Sequence, residues 1–263
     1  AINTPEENDY RDSLDSFTDR ERILAHIDRY LHTSQPSTFH LLAIKGHSGT
    51  GKTFLIEYLS KRICPPAGWQ TGVLAFTQAY PDFRSILDGI EDALKRCVPA
   101  QSLTPYRTQR EEYKRRFDEY RANITVHQDV GAKDASSVAN IQMNAQVNAE
   151  LRRRELQLRA ELTRALLELA EASTHPLCLF IDSYERLAET DPELVGWLWE
   201  EMLLKLPTHA PYPILIVTCG WEHPMSAALQ PFSTRAELDD FDLHHVQSYL
   251  QTQGNLPSAV PTQ

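Results

Sequence analysis

No stretch of this 263-residue sequence stays apolar for the roughly 20 residues that a membrane-spanning helix needs. Cysteine is scarce: Cys64, Cys97, Cys178 and Cys219 stand far apart, with no C-x-x-C pair, each in or beside an apolar segment. That spacing argues against a disulfide framework or a zinc site and predicts four buried free thiols. Basic residues are in deficit, 26 Lys and Arg against 36 Asp and Glu. A net charge of −10 argues against broad nucleic-acid binding, which calls for a basic face, while leaving room for a local basic patch. The histidines, His244 and His245 included, have no ligand spacing with cysteine or acid, so no structural metal is expected. The opening residues Ala1-Ile2-Asn3-Thr4-Pro5 lead into acidic and polar ones without a signal-peptide pattern, and the expected location is cytoplasmic.

With 41% hydrophobic and 24% charged residues, the chain has the composition of a folded protein. Its length suits one large α/β domain, or one domain with a small appendage. The first residue is not methionine, and 254–263 form a Pro/Ser/Thr/Gln tail without a core pattern. A piece of a longer protein is the expectation.

The most informative run is Gly46-His47-Ser48-Gly49-Thr50-Gly51-Lys52-Thr53, which fits G-x-x-x-x-G-K-[ST]. Glycines let the chain turn back with positive φ and bring consecutive backbone N–H groups against oxyanions. The following helix points its positive end at the phosphates, Lys52 can reach their outer oxygens, and the Thr53 hydroxyl can ligate Mg²⁺. With glycine at about 7% of residues on average, the four fixed positions recur by chance in about one chain in a hundred of this length. Here an apolar stretch precedes the run and a helical one follows it, as a phosphate-binding loop requires.

Residues 1–16 read as an acidic, loosely ordered arm. Phe17-Thr18-Asp19-Arg20-Glu21 then opens a helix with Ile23, Leu24, Ile27, Tyr30 and Leu31 on one face. Strands are predicted over 39–45, 72–77, 177–182, 213–218 and 235–241, and helices over 53–64, 82–96, 192–205 and 242–253. Residues 105–170 read as an insertion. Within it, helices are predicted over 106–121, with Tyr113, Phe117 and Tyr120 on a stripe, and over 148–171, with Leu151, Leu158, Leu162, Leu166 and Leu169 as a seam. Between them, 122–147 holds short alternations around Ile124, Val126, Ile141 and Met143 and a loop-like tip; a partner-binding arm and a poorly ordered insertion are both open. Strands alternating with helices predict a doubly wound, mainly parallel five-stranded α/β sheet, order 5-1-4-3-2, with sites at the strand C-termini.

Asp182 ends an apolar strand about 130 residues after Lys52, where a phosphate-loop enzyme places the carboxylate that holds Mg²⁺ through water. Glu185, three positions on, can orient and polarise an attacking water, or can be a solvated turn residue pairing with Arg186. Trp197 and Trp199 lie on an apolar helix and read as packing residues.

Together these segments resemble the STAND class of AAA-related NTPases, nucleotide switches that include NACHT modules. Phe17-Thr18-Asp19-Arg20-Glu21 is similar to the F-x-G-R-E entry segment of that class, with Asp19 in place of its glycine, and Gly46 to Thr53 is its Walker A. Asp182-Ser183-Tyr184-Glu185 resembles the NACHT form of Walker B, and Leu238-Asp239-Asp240-Phe241-Asp242 the strand that closes the core. The resemblance implies an ATP/ADP site built by the whole Walker A loop, with Phe17 and Arg20 near the adenine and Thr218 facing the last phosphate. It also implies Mg²⁺ on Thr53 and, partly through water, Asp182, and catalysis by Lys52, Asp182 and Glu185. The NTPase domain would span 17–253, with 254–263 a tail or the start of a truncated lid. The arginine that such modules often carry after the fourth strand is missing from Thr218-Cys219-Gly220-Trp221-Glu222. Slow or partner-dependent hydrolysis follows, with Glu222 the next candidate base. The expected function is a nucleotide switch in a larger signalling or defence protein, with self-association or partner domains in the full-length chain. A scaffold without turnover and an AAA-type motor are the competing functions.

Overall fold

The computed structural model describes residues 20–32, 40–76, 82–131, 138–190, 192–221 and 227–238. Five strands form one sheet: β1 (His40–Gly46), β2 (Gln70–Ala75), β3 (Leu177–Asp182), β4 (Ile214–Gly220) and β5 (Ser233–Leu238). Their order is β2-β3-β4-β1-β5, and every pairing is parallel. This is the expected order read from the other edge. β3 and β4 are buried along their whole length, as their uninterrupted apolar sequence dictates for strands covered on both faces.

Two apolar layers clamp the sheet. On one face lie α1 (Glu21–Leu31), burying Ile23, Ile27 and Leu31, and α2 (Lys52–Tyr58), which widens into a π-helical turn over Leu59–Ile63. On the other lie α3 (Phe83–Leu94), α4 (Ala100–Gly131) and α5 (Val138–Glu171). Asp82 caps α3 by accepting from the Ser85 amide at 2.8 Å, and Phe83, Ile86, Leu87, Ile90 and Leu94 are all buried as their spacing foretells. The remaining short helices are α6 (Tyr184–Thr190), α7 (Pro192–Gly196), continuing as a π-helical turn over Trp197–Leu203, and α8 (Leu206–His209). A 3-10 turn over Ala227–Phe232 leads into β5.

The insertion differs from its sequence reading. α4 starts at Ala100 rather than 106 and runs through Pro105, because the flanking Leu103 and Tyr106 are buried in the core and outweigh one lost backbone bond. The backbone of 122–131 and 138–147 is helical, not the short alternations expected there. The two long helices run antiparallel, since Thr174 reaches the Cys97 carbonyl at 2.9 Å while Arg116 pairs with Glu161 at 3.7 Å. In α5, Leu162, Leu166 and Leu169 are buried and Leu158 partly so. The segments 1–19, 132–137 and 239–263 lie outside the described residues, and with them the arm, the tip, the helix expected over 242–253 and the tail. All four cysteines are buried and free. Among the described residues, no helix is long and apolar enough to cross a membrane.

Candidate functional site

The loop between β1 and α2 takes its shape from three glycines. Gly49 and Gly51 have φ of 88° and 84°, the left-handed region that costs an L side chain about 1–2 kcal/mol. Gly46 is required by space, since a Cβ there would lie 2.7 Å from Thr50 Oγ1 and 3.0 Å from Leu238 Cβ. The loop wraps the buried Thr50 side chain, whose hydroxyl donates to the His47 carbonyl at 3.0 Å, while His47 and Ser48 are exposed at its rim. Lys52 folds back over the loop and donates to the carbonyls of Gly46 and His47 at 2.7 and 2.6 Å. Its charge therefore sits at the N-terminal end of α2, where an anion is also favoured by the helix dipole.

The second half of the site comes from β3. The Thr53 hydroxyl donates to Asp182 Oδ2 at 2.7 Å, joining residues 129 apart. Asp182 is buried, and the chain turns sharply after it: Ser183 has φ 56°, the only non-glycine with positive φ among the described residues. That turn starts α6, where the sequence reading placed only a turn, and puts Glu185 in its first turn. Glu185 is buried, and its Oε2 accepts the Trp221 amide from the end of β4 at 3.3 Å. Ser48, Phe54 and Arg186 join these residues around a cleft of about 360 Å³.

The other expected residues fall as follows. Arg20 is buried just before α1, and its guanidinium donates to the Thr50 carbonyl at 2.9 Å, tying the entry segment to the phosphate loop. Phe17 and Glu222 lie outside the described residues. Thr218 is buried on the face of the sheet that carries Ile216 and Ile181, whereas Asp182 shares the opposite face with Cys219 and Phe180; Thr218 is not among the residues lining the cleft. Cys219, expected from the sequence as a buried free thiol, lies in register with Asp182, a position beside the site that the sequence does not show. Burial pushes its thiol well up, the Asp182 carboxylate adds to this and Lys52 opposes it, so the thiol stays neutral beneath the site. Trp221, Phe54 and Arg186 were missed as lining residues; their one sequence signal is adjacency to the ends of β4, α2 and β3.

The donor set fits a magnesium–triphosphate. Thr53 and Asp182 offer adjacent hard oxygen donors, the kind Mg²⁺ takes, and the glycine loop with Lys52 forms a cradle that a Cβ would fill. A family model of the AAA ATPase domain matches residues 16–217. No curated protein matches the chain. Among solved structures, "Structure of Drosophila ORC bound to DNA" is similar at 17% identity and a TM-score of 0.48, covering 90% of this chain and 47% of that chain. The chain thus spans about half the length of that relative. With its phosphate loop, its strand-end aspartate and a family match over most of its length, the chain belongs to the AAA ATPase domain family.

Proposed function

We propose that this chain is an ATP-binding, slowly hydrolysing switch module of a larger cytoplasmic signalling or defence protein, whose nucleotide state controls assembly. The observation that supports it most is the 2.7 Å contact between Thr53 and Asp182 beside Lys52. It joins residues 129 apart in the sequence, which supports reading them as two halves of one phosphate site. Bound Mg²⁺–ATP would supply a polarised terminal phosphoryl group. The loop of Gly46, His47, Ser48, Gly49, Thr50, Gly51, Lys52 and Thr53 would hold the phosphates, and Thr53 and Asp182 the metal. Glu185 would orient water as general base. Its carboxylate accepts the Trp221 amide at 3.3 Å and keeps further acceptor sites for a water. The entry segment with Phe17 and Arg20 would stand near the adenine, and the domain would run from 17 to 253 around the inserted arm. The switch assignment draws on the sequence resemblance to NACHT modules.

The test is titration of a fluorescent ATP analogue with and without Mg²⁺. Lys52→Ala is expected to abolish binding, and Asp182→Asn to weaken it chiefly when Mg²⁺ is present. Wild-type affinity in Lys52→Ala would remove the phosphate-site assignment, and equal loss with and without Mg²⁺ in Asp182→Asn would make that residue structural. Glu185→Gln is expected to bind ATP and retain it unhydrolysed in single-turnover assays.

A further inference from the structure

We infer that the outer edge of β2 is a docking site for an extended, acidic segment of a partner protein, which joins the sheet as a further strand beside Val73. This surface stands apart from the phosphate site. That site is built at the C-terminal ends of β1 and β3, whereas the cation that selects the acidic segment, Arg96, meets β2 near its start.

Among the described residues β2 pairs with β3 alone, so one of its sides is an edge. The Gln70 amide donates to the Pro176 carbonyl at 2.9 Å, and the Phe76 amide to the Asp182 carbonyl at 3.1 Å. Successive residues of a parallel strand turn their N–H and C=O groups to alternate sides. Gln70, Gly72, Leu74 and Phe76 therefore face β3, while Thr71, Val73 and Ala75 turn both groups outward. Arg96 Nη1 donates to the Thr71 carbonyl at 2.9 Å, which agrees with that direction. Beyond it, the outward groups of Val73 and Ala75 are those that a further strand pairs with. The Val73 side chain is 47% exposed, and Ala75 is exposed too. Edges are ordinarily blunted by a charge, a proline or a bulge, and the run Val73-Leu74-Ala75 carries neither charge nor proline.

Beside this edge lies a cleft of about 700 Å³, walled by Ser60 and Lys61 of the π-helical turn and by Trp69, Val73, Arg96 and His175. No carboxylate lines it, in a chain whose net charge is −10. Lys61 is offset by Glu57 at 2.6 Å. Arg96 is exposed, bonds the neutral Thr71 carbonyl and, among the described residues, pairs with no carboxylate. In strand addition the main-chain bonds supply affinity, and pockets beside alternate side chains supply selectivity. Val73 and Ala75 provide the first here. Arg96 provides the second, since its planar fork takes both oxygens of a carboxylate. A second copy of this chain fits poorly, because β2 itself has no acid to set against Arg96 and two chains of −10 repel.

The test uses the whole 263-residue chain and the fluorescence anisotropy of a labelled peptide that alternates threonine with glutamate, beside a counterpart with lysine in place of glutamate. The wild type is expected to bind the glutamate peptide, less tightly as salt is added, and to prefer it to the lysine peptide about tenfold. Val73→Pro removes one outward N–H that takes no part in the β3 ladder, and proline is accepted on the open side of an edge strand. It should weaken the glutamate peptide about tenfold, as the loss of one main-chain bond predicts, with an unchanged circular dichroism spectrum. Arg96→Glu should turn the preference toward the lysine peptide, and it decides the matter alone if Val73→Pro unfolds. Failure of the wild type to bind the glutamate peptide, equal binding of the two peptides, full binding by Val73→Pro, or an unchanged preference in Arg96→Glu overturns the assignment. Self-association of the wild type that Val73→Pro abolishes, without peptide binding, gives the edge to a second copy and overturns it as well.

Discussion

At the scale of single residues, the site depends on backbone conformations that few side chains tolerate. Ser183 is the clearest case. It follows the buried Asp182 in the left-handed region, and its carbonyl accepts the Arg186 amide at 3.1 Å, so the turn into α6 is closed by its own hydrogen bond. A serine there costs about 1 kcal/mol against glycine, and a β-branched residue costs more. Ser183→Gly is therefore expected to leave stability equal or slightly raised, since lost strain is offset by a more flexible unfolded chain. Ser183→Val should lower it by about 1–2 kcal/mol in urea unfolding. Equal stability of the two variants would mean that the turn relaxes easily and does not fix Glu185. The phosphate loop was legible residue by residue because its chemistry demands a fixed spacing of glycines. Ser183 was not, because serine carries no sequence signal for positive φ.

Between elements, α3 lies close against β2 at Gly72. A Cβ on Gly72 would lie 2.2 Å from Ala93 Cβ and 3.1 Å from Ala93 Cα, neither of which can swing aside. Gly72→Ala must push α3 off the sheet, and about 1–3 kcal/mol of destabilisation is expected. Adding Ala93→Gly should recover part of this although it weakens the helix; strict additivity in urea unfolding would place the clash elsewhere. Where β1 meets α1, His40 stacks on Tyr30 with ring centroids 4.6 Å apart and lies 5.9 Å from His26, and its Nε2 is 3.2 Å from Thr234 Oγ1. Burial, and after it the neighbouring His26, hold its pKa below the ordinary 6.5. The unfolded chain then binds the proton first as pH falls. This stabilisation is complete above pH 6.5 and is lost as pH drops through 6.5 toward the depressed folded value. The wild type should lose stability between pH 7 and 5 more steeply than His40→Phe, which keeps a ring but cannot titrate; matching slopes would assign the pH dependence to other groups. Strands and capped helices were readable at this scale because burial on two faces or on one stripe leaves a period in the sequence. α6 was not. Seven residues from Tyr184 to Thr190 hold too few turns to show a period, and only the buried Tyr184 and Leu187, three apart, mark it. The long arm was half legible, because the stripe of α4 gives way to charged surface where Arg115 pairs with Glu112 and Glu119 along one helix rather than with a core.

For the whole molecule, strand order was readable because Walker A and the strand-end aspartate fix which strands lie near the centre, and parallel crossovers leave little freedom for the rest. Which face a strand-end residue takes is less readable: the pleat turns one residue to each face, and in this register Cys219 shares the face of Asp182 while Thr218 takes the other. The phosphate loop, β3 and the end of β4 all meet at one end of the sheet, so a ligand seated there ties together segments that would otherwise separate on unfolding. Nucleotide held at a hundred times its dissociation constant stabilises the folded state by about 2.7 kcal/mol. For a chain of this size that corresponds to a rise of about 5–10 °C in melting temperature. The rise should require Mg²⁺ for its full extent, vanish in Lys52→Ala, and be the same from ATP at the start and at the end of a slow heating scan. This last point reports on turnover. Without a cation supplied by a partner, phosphate-loop switches turn over far more slowly than once per second, so ATP should outlast the scan. A shift that decays during incubation to the value given by ADP would reveal fast hydrolysis and favour a motor over a switch.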